Sequence, residues 1–341
     1  MSPLVQKLYA FSLARYFDFL RIKLGRPLVL FFRDGGIGDI LCTFPATVAL
    51  ADKHRDAYKI YCTNPGFVSL PATLGRMDRV IGIKSNDLVA KASRRHTIYQ
   101  FRYPDESPGQ ASAHYLADEM AMPFGLPAGL PWPKLDLGPV SPKVTAVFEG
   151  KTAPTVCIHT GPTWAVREWP LAAWDTLVER LRELTGCRVL HIGASKHFRE
   201  GERKERTARG AEDCRDVFSL VETLQLIERS KLLIGIDSGM IHGGVAFGLP
   251  VIGVFGPTSA FLRLPPRSDA IGLSADVPCL GCHHRHPRLH WQSGCAHDIR
   301  CMRGLTPEQV LAEALPLLRP RDGGGVGVKS SQQNPVKSRV G

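Results

Sequence analysis

The apolar and polar positions of this chain follow two patterns. Short apolar runs that end in small or polar residues are typical of buried strands in a parallel sheet, and segments with helical spacing separate them. The runs are Pro27–Phe32, Lys59–Thr63, Val156–Gly161, Arg188–Gly193, Leu233–Ile236 and a last run that ends at Gly256. Strands that alternate with helices predict an α/β fold.

Helix signals support this pattern. Apolar residues keep helical spacing over 171–184. A capping box that begins at Ser219 predicts a helix through residue 230. Thr306, which is followed by a proline, predicts a last helix over 307–318.

A polar turn, Asp237-Ser238-Gly239, follows one of the apolar runs and precedes a short helix. Ligands bind beyond the carboxyl ends of strands in open α/β sheets, and free N–H groups at a helix start suit a phosphate. The turn therefore indicates a nucleotide or nucleotide-sugar site, with an ordinary turn and a solvated aspartate as the alternative. Asp237 has no positive partner nearby in the sequence, so we expect it to contact hydroxyl or backbone N–H groups.

A second polar loop follows the strand that ends near Gly161. Thr163 and Arg167 lie on this loop, at the carboxyl end of a strand, where diphosphates bind. The tryptophans of the same loop are interpreted as packing residues.

A third turn, 33–39, connects the first strand to a predicted helix over 40–50. Its glycines do not fit the dinucleotide fingerprint G-x-G-x-x-G, and no acidic residue ends the second strand, so a nicotinamide cofactor is disfavoured. Asp39 lies at the helix start, where its ionised form is favoured. It is either a helix charge or a general base that faces a cleft between domains.

The composition, 44% hydrophobic and 22% charged, is that of an ordinary globular protein. No apolar run reaches the ~18 residues that a membrane span requires. The N-terminal stretch Leu4–Leu24 is basic, amphipathic and rich in aromatic residues, and it lacks the cleavage site of a signal peptide. We expect it either to pack on its own domain or to lie at a membrane surface.

The formal net charge of +11 suits anionic partners such as a nucleotide sugar, phosphorylated saccharides or anionic lipids. The basic residues are scattered and no helix-turn-helix, RRM or KH signature is present, which argues against nucleic acid as a partner. Residues 319–341 are rich in Gly, Ser and Gln and are expected to form a disordered tail.

Four of the nine cysteines form the pattern Cys279-x2-Cys282-x12-Cys295-x5-Cys301, in a loop with five histidines. In a chain without a secretion signal this spacing favours a metal over disulfides, and four thiolates suit zinc or iron. Mixed Cys/His ligation and unligated thiols stay open as alternatives. Four protein ligands leave no open position, so the metal would be structural rather than catalytic.

Three segments together resemble glycosyltransferase family 9, which contains the lipopolysaccharide-core heptosyltransferases. They are Gly38–Ala46, Arg167–Pro170, and Asp237–His242 with Phe255–Thr258, and the match covers most of 27–318 in the right order. The resemblance implies a GT-B fold, in which two Rossmann-like domains face a cleft. The acceptor would bind the N-terminal domain and the nucleotide sugar the C-terminal one.

By the same resemblance, Asp39 matches the catalytic base, and Gly36 and Gly38 belong to the acceptor-side loop. Thr163 and Arg167 match the loop that holds the donor phosphates, where many relatives have lysine, which has the same charge but a different geometry. The residues that match the donor-binding turn are Asp237, Ser238, Gly239, Met240 and His242. Autotransporter heptosyltransferases resemble this chain in the cysteine loop too, and there the resemblance implies four cysteines around iron.

We expect residues 1–140 to form the acceptor domain and 141–318 the donor domain, with a cysteine-rich loop at 278–303. The expected activity is inverting transfer of a heptose or related sugar, from ADP-heptose above other nucleotide-diphosphate donors, to a saccharide, lipopolysaccharide-core or glycoprotein hydroxyl, without a catalytic cofactor. The alternatives are a GT-B enzyme that uses a UDP-sugar and a nonenzymatic carbohydrate-binding or metal-bearing scaffold. A cytoplasmic location, peripheral contact with the inner membrane and a homo-oligomer are further expectations.

Overall fold

The computed structural model describes residues 2–106, 111–161, 164–195, 206–285 and 294–319. Two features predicted from the sequence, Thr163 and the tail beyond residue 319, lie outside these ranges.

The first sheet contains four parallel strands within the described residues. They are β1 (Leu28–Phe32), β2 (Tyr58–Thr63), β3 (Arg79–Gly82) and β4 (Thr97–Gln100). Their order across the sheet is β3-β2-β1-β4. Alternate residues of β1 belong to two different apolar clusters, so both faces of the sheet are covered.

The second sheet has six parallel strands in the same described ranges. They are β5 (Thr155–His159), β6 (Arg188–His191), β7 (Glu212–Asp213), β8 (Leu232–Ile236), β9 (Val251–Val254) and β10 (Ala270–Leu273). The order is β10-β9-β8-β5-β6-β7. Counted from its own first strand, this is the 3-2-1-4-5-6 order of a Rossmann fold, which reverses between β5 and β8. In the first sheet the corresponding reversal lies between β1 and β4.

Helices connect these strands. They are α1 (Pro3–Leu24), α2 (Ile37–Leu41), α3 (Phe44–Lys53), α4 (Ser69–Ala72), α5 (Asn86–Ala92), α6 (Leu116–Ala121), α7 (Pro142–Phe148), α8 (Leu171–Thr185), α9 (Leu220–Glu228), α10 (Gly239–Ala246), α11 (Ala260–Arg263), α12 (Cys282–Arg285), α13 (Arg300–Arg303) and α14 (Pro307–Leu318). Short 3-10 turns occur at Pro65–Phe67, Pro104–Glu106, Met122–Phe124 and Ala165–Arg167.

The predicted α/β class is confirmed, and the predicted strands occur within one or two residues. Helix α14 has the predicted bounds, and the Thr306 hydroxyl accepts a hydrogen bond from the N–H of Gln309. One prediction is wrong: the single helix over 40–50 is two helices, α2 and α3. Pro45 has no N–H to continue the first helix, so α2 ends at Leu41 and a separate helix, α3, begins at Phe44.

The segment that joins the two sheets contacts helix α9. The Gln225 amide donates to the carbonyls of Leu137 and Pro139 at 3.1 and 3.0 Å and accepts from the N–H of Ser141 at 3.2 Å. The domain boundary at residues 140 and 141 stays a prediction. Among the described helices, the 22-residue α1 included, none is long and apolar enough to cross a membrane.

Candidate active site

The glycine turns of the two sheets meet at one contact between α2 and α10. A β-carbon at Gly38 would lie 2.7 Å from the His242 ring, and one at Gly239 would lie 2.6 Å from Cβ of Ile37. Both distances are far below the ~3.5–4 Å of carbon–carbon contact. Glycine at both positions is therefore what lets the two turns touch.

Asp39 is the third residue of α2, and its carboxylate is held from two sides. Oδ2 accepts a hydrogen bond from the N–H of Gly36 at 2.7 Å, and Oδ1 accepts one from Arg33 at 3.2 Å. Gly35 has a φ of 117°, and a β-carbon there would lie 2.6 Å from Oδ2, so conformation and space both require glycine. The Asp39 side chain is 31% exposed, which leaves it accessible to a substrate hydroxyl.

Arg33 positions this carboxylate and is itself buried. Its guanidinium donates to Glu106 at 2.8 and 2.9 Å and to the Phe101 carbonyl at 3.2 Å, and its Cζ lies 4.5 Å from the centre of the Tyr103 ring. Burial lowers the pKa of Arg33, but the hydrogen bond with Glu106 and the nearby Tyr103 and Asp39 outweigh it, so the pKa is raised. Sequence analysis missed Arg33 and Glu106; the available signal was a charged residue directly after an apolar run.

Asp237 follows β8 and forms ion pairs with two arginines. Arg167 donates to Oδ2 at 3.0 Å and to the Asp237 carbonyl at 2.9 Å, and Nε of Arg263 lies 3.8 Å from the same Oδ2. The expectation that Asp237 has no cationic partner is wrong, because the fold brings two distant loops to it. Burial raises the pKa of Asp237, but Arg263 and Arg167 outweigh this and hold the pKa well below its usual range.

Arg263 is a second residue that sequence analysis missed. It ends α11, beyond the carboxyl end of β9, where a cation could have been noted as a phosphate ligand. Within the described ranges its guanidinium makes no hydrogen bond, and its one ion pair is with Asp237. Burial lowers the pKa of Arg263, but Asp237, Tyr103 and Asp39 raise it more, so the cation lies in the field of both aspartates.

Two neutral histidines support the turn after β8. The Ser238 hydroxyl lies 3.0 Å from Nδ1 of His159, and Nδ1 of His242 lies 3.5 Å from Sγ of Cys42. Burial lowers the pKa of each histidine to about 4. Met240 packs in the core beneath the turn. The predicted residues of the turn and Arg167 are thus brought together, close to Gly38 of the other sheet.

A pocket of about 380 Å³ opens at the carboxyl ends of β1 and β4, where the order of the first sheet reverses. Arg33 and Gly35 line it, so it adjoins the surroundings of Asp39. Asn86 is a third lining residue; it is 5% exposed, and neither atom of its amide has a hydrogen-bond partner in the described part of the chain. Ser85 has a φ of 61°, an uncommon conformation for a residue other than glycine.

The cysteine loop packs behind the turn that follows β9. The N–H of Gly281 donates to the Gly256 carbonyl at 2.9 Å, and that of His283 donates to the Pro257 carbonyl at 2.9 Å. A β-carbon at Gly256 would lie 2.8 Å from Sγ of Cys301. The described part of the loop therefore packs against the turn that follows β9.

The four loop cysteines are free thiols. Burial, together with the nearby loop cysteines, raises the pKa of Cys282 and raises that of Cys301 to about 11. No group of three His, Cys, Asp or Glu side chains among the described residues is placed to hold a metal ion, and 286–293 lie outside that description. The metal site at Cys279, Cys282, Cys295 and Cys301 stays a prediction.

Comparison with known proteins identifies the family. The family model described as glycosyltransferase family 9 (heptosyltransferase) matches residues 90–291, more than half of the 341 residues. Lipopolysaccharide heptosyltransferase 1 of Pseudomonas aeruginosa is 29% identical over 132 residues, which cover 38% of this chain and 36% of that protein. The autotransporter heptosyltransferase BAHTCr of Citrobacter rodentium is 34% identical over 112 residues, 32% of this chain and 27% of that protein. The matches thus span about a third of these two relatives or less.

Longer matches come from TibC. The autotransporter heptosyltransferase TibC of Escherichia coli is 24% identical over 315 residues, 85% of this chain and 71% of that protein. The crystal structure of iron-containing dodecameric TibC aligns with a TM-score of 0.67 at 21% identity, covering 88% of this chain and 81% of that one. TibC has also been solved in complex with ADP-D-β-D-heptose. These likenesses establish the GT-B fold with two Rossmann-like domains.

Proposed function

The chain belongs to glycosyltransferase family 9, and on that premise we propose that it transfers a heptose from ADP-heptose to a hydroxyl group. The observation that carries this proposal is the contact between Gly38 and Gly239, which places Asp39 opposite the ion pairs of Asp237. A general base on one side and phosphate-binding cations on the other are the two requirements of direct sugar transfer.

The donor diphosphate is assigned to the point where the order of the second sheet reverses. Arg167 follows β5, Asp237 follows β8, and Arg263 follows β9, so three loops converge there. Two guanidinium groups against one carboxylate leave a positive balance that favours a diphosphate. The first N–H groups of α10 have no partner within the helix and add to this field.

Asp39 is assigned the role of base. The proton of the acceptor hydroxyl moves to its carboxylate while the acceptor oxygen forms a bond to the anomeric carbon. The bond from that carbon to the donor phosphate breaks, and ADP leaves with the electron pair. Attack opposite the leaving group inverts the anomeric configuration, so this geometry supports an inverting mechanism.

The acceptor is assigned to the pocket at the carboxyl ends of β1 and β4. Its charged lining residues are Arg33, Arg102, Asp34, Asp87 and Glu106. Because the two signs nearly balance, this lining suits a neutral polyhydroxyl group of a saccharide or glycoconjugate better than a strongly anionic one. The Asn86 amide belongs to its wall, and a buried amide without a partner costs about 1–3 kcal/mol, which an acceptor hydroxyl would recover.

The Asn86→Ala variant tests this assignment. We expect a raised KM for the acceptor and an unchanged Kd for ADP, because Arg167, Asp237 and Arg263 are not among the residues that line the pocket. A changed Kd for ADP with an unchanged acceptor KM would assign the pocket to the donor.

A structural metal at the four loop cysteines is also proposed. Thiolates suit zinc and iron, and TibC is described as iron-containing. The loop carries few aliphatic side chains, so coordination would supply the free energy that orders it. The metal takes no part in the sugar transfer.

A homo-oligomer is proposed because TibC is described as dodecameric; light scattering of the purified chain measures it. The cytoplasmic location expected from the sequence stays a prediction.

Nucleotide titration and turnover together test the proposed activity. We expect ADP to bind more tightly than UDP in calorimetry, and ADP to be released from ADP-heptose only when an acceptor is present. Preference for UDP would favour a UDP-sugar enzyme. Binding of carbohydrate without release of any nucleotide would favour the nonenzymatic scaffold.

A further inference from the structure

Helix α1 has two apolar faces, and one of them packs inside the chain. Ala10, Phe17 and Leu20 are buried against the first sheet and helix α5, and Ala14 on the same face is buried too. This confirms one of the two expectations for the N-terminal stretch, that it packs on its own domain. It leaves open what the opposite face does.

The opposite face carries large apolar side chains that point to solvent, here named the exposed stripe. Its members and their exposed fractions are Leu4 68%, Leu8 58%, Phe11 62%, Phe19 58% and Ile22 74%. At about 100° per residue they lie within an arc of roughly 80°, and exposed Arg15 lies in the same arc, one turn from both Phe11 and Phe19. Single exposed apolar residues are ordinary, but five aligned on one helix form a patch of the kind that binds a partner or a membrane.

The charged side chains of α1 are almost all positive. The exposed basic residues of α1 are Lys7, Arg15, Arg21 and Lys23. The acidic residue of the helix, Asp18, lies 3.7 Å from Arg95, which offsets its charge, and 3.3 Å from Nε2 of His96. A basic helix that exposes large apolar side chains on one side is the pattern of helices that lie in the interface of an anionic bilayer.

A basic pocket adjoins the end of the exposed stripe. Its volume is about 490 Å³, and Arg21, Ile22, Arg26, Arg95 and His96 line it, with no carboxylate among the described lining residues. Two backbone carbonyls hold the Arg26 guanidinium at 2.9 and 3.1 Å. The Arg21 guanidinium has no hydrogen bond or ion pair within the described ranges, and Arg95 is 80% exposed. Guanidinium groups in such a pocket suit a phosphate group.

We propose that α1 and this pocket bind the surface of an anionic lipid bilayer. The exposed stripe would enter the boundary between headgroups and acyl chains, and the pocket would hold one lipid phosphate. Charge decides between a bilayer and a second copy of the chain. A symmetric dimer through α1 would bring the same positive side chains of two copies together, whereas an anionic surface complements them.

Vesicle co-sedimentation of the full chain tests the proposal. Vesicles with phosphatidylglycerol are compared with vesicles of phosphatidylcholine alone, and we expect binding to the anionic vesicles that weakens with salt. The Phe11→Ser, Ile22→Ser double variant should lower the partition coefficient by at least about tenfold, because two large apolar side chains leave the interface. The Arg21→Gln, Arg95→Gln variant should lower it roughly 25-fold, because each cation contributes about fivefold near an anionic surface.

Leu184→Ser is the matched control, since Leu184 is an exposed apolar residue of helix α8, far from α1 in the sequence, and its loss should leave vesicle binding unchanged. Equal binding of wild type and both double variants would overturn the proposal. So would a dimer of the wild-type chain that the Phe11→Ser, Ile22→Ser variant breaks while vesicles do not bind. ADP affinity is measured on every variant, so failure of this proposal is separate from failure of the proposed sugar transfer.

Discussion

A methyl group at Gly239 is expected to separate the two halves of the candidate active site. Built on the present backbone, the added β-carbon would lie 2.6 Å from Cβ of Ile37 and 2.8 Å from the backbone N of Gly38. Carbon atoms in contact are ~3.5–4 Å apart, so α2 and α10 would have to move apart by about 1 Å. Neither contacted atom is the free end of a side chain, so the backbone must take up the shift.

The expected loss is in turnover more than in stability. A misplacement of about 1 Å between reacting groups can cost on the order of 100-fold in rate. Overpacking of a well-packed contact costs about 1–3 kcal/mol. Gly239→Ala should therefore lower kcat about 100-fold, with a modest fall in Tm, when release of ADP from ADP-heptose is followed at saturating donor and acceptor.

Gly243→Ala is the matched control on the same helix. Its β-carbon would lie 2.8 Å from a methyl group of Leu224, the flexible end of a side chain on the same side of the cleft. The Tm should fall by a comparable amount, and kcat should change little. Wild-type turnover in Gly239→Ala, or equal loss of kcat in both variants, would show that the contact between α2 and α10 is not part of the active arrangement.

Other changes separate the remaining roles. Asp39→Asn should lower kcat by ~10²–10⁴-fold and leave the Kd for ADP unchanged, because a base acts in the transition state; wild-type turnover would reduce Asp39 to a helix charge. Arg263→Ala should weaken ADP binding and leave adenosine binding unchanged, and equal losses in calorimetry would remove it from the phosphates. Cys279→Ser with Cys282→Ser should lose a metal that elemental analysis finds at about one per wild-type chain; a metal-free wild-type protein with four freely titratable loop thiols would refute the site. The free energy of unfolding should fall as pH drops from about 6.5 towards 4, because buried His242, with its pKa lowered to about 4, takes up a proton on unfolding. Urea titrations at several pH values measure this slope, and His242→Gln should reduce it.

The parts of the site that follow from local pattern were predictable. An apolar run followed by small residues indicates both a strand and the position of its carboxyl end, so Asp39 and the Asp237-Ser238-Gly239 turn could be placed at the edges of two sheets. Gly38 and Gly239 occur in the expected turns. Their contact with each other was not predictable, because hydrophobic periodicity holds no information about how two domains face one another.

The ion pairs of the site were missed for the same reason. Arg167 pairs with Asp237 across 70 residues, and Arg33 pairs with Glu106 across 73. Spacing along a helix or strand identifies neighbours a few positions apart, whereas these partners lie on loops that the sheet order brings together. Sequence analysis could place each charge at a strand end but could not assign its partner.

A chain of ring contacts connects the cysteine loop to the proposed donor side of the site. The His283 ring lies 6.5 Å from the Trp164 ring, and Cζ of Arg167 lies 4.7 Å from the same tryptophan. Arg167 in turn donates a hydrogen bond to the carboxylate of Asp237. Disorder in the loop would therefore displace Arg167, the cation proposed to bind the donor phosphates, before it displaces Asp39. Asp39 is held by its own hydrogen bonds on the other side of the cleft. Loss of the loop's order should raise the KM for the donor first and change kcat less, and the reverse order would mean that the loop acts on the base.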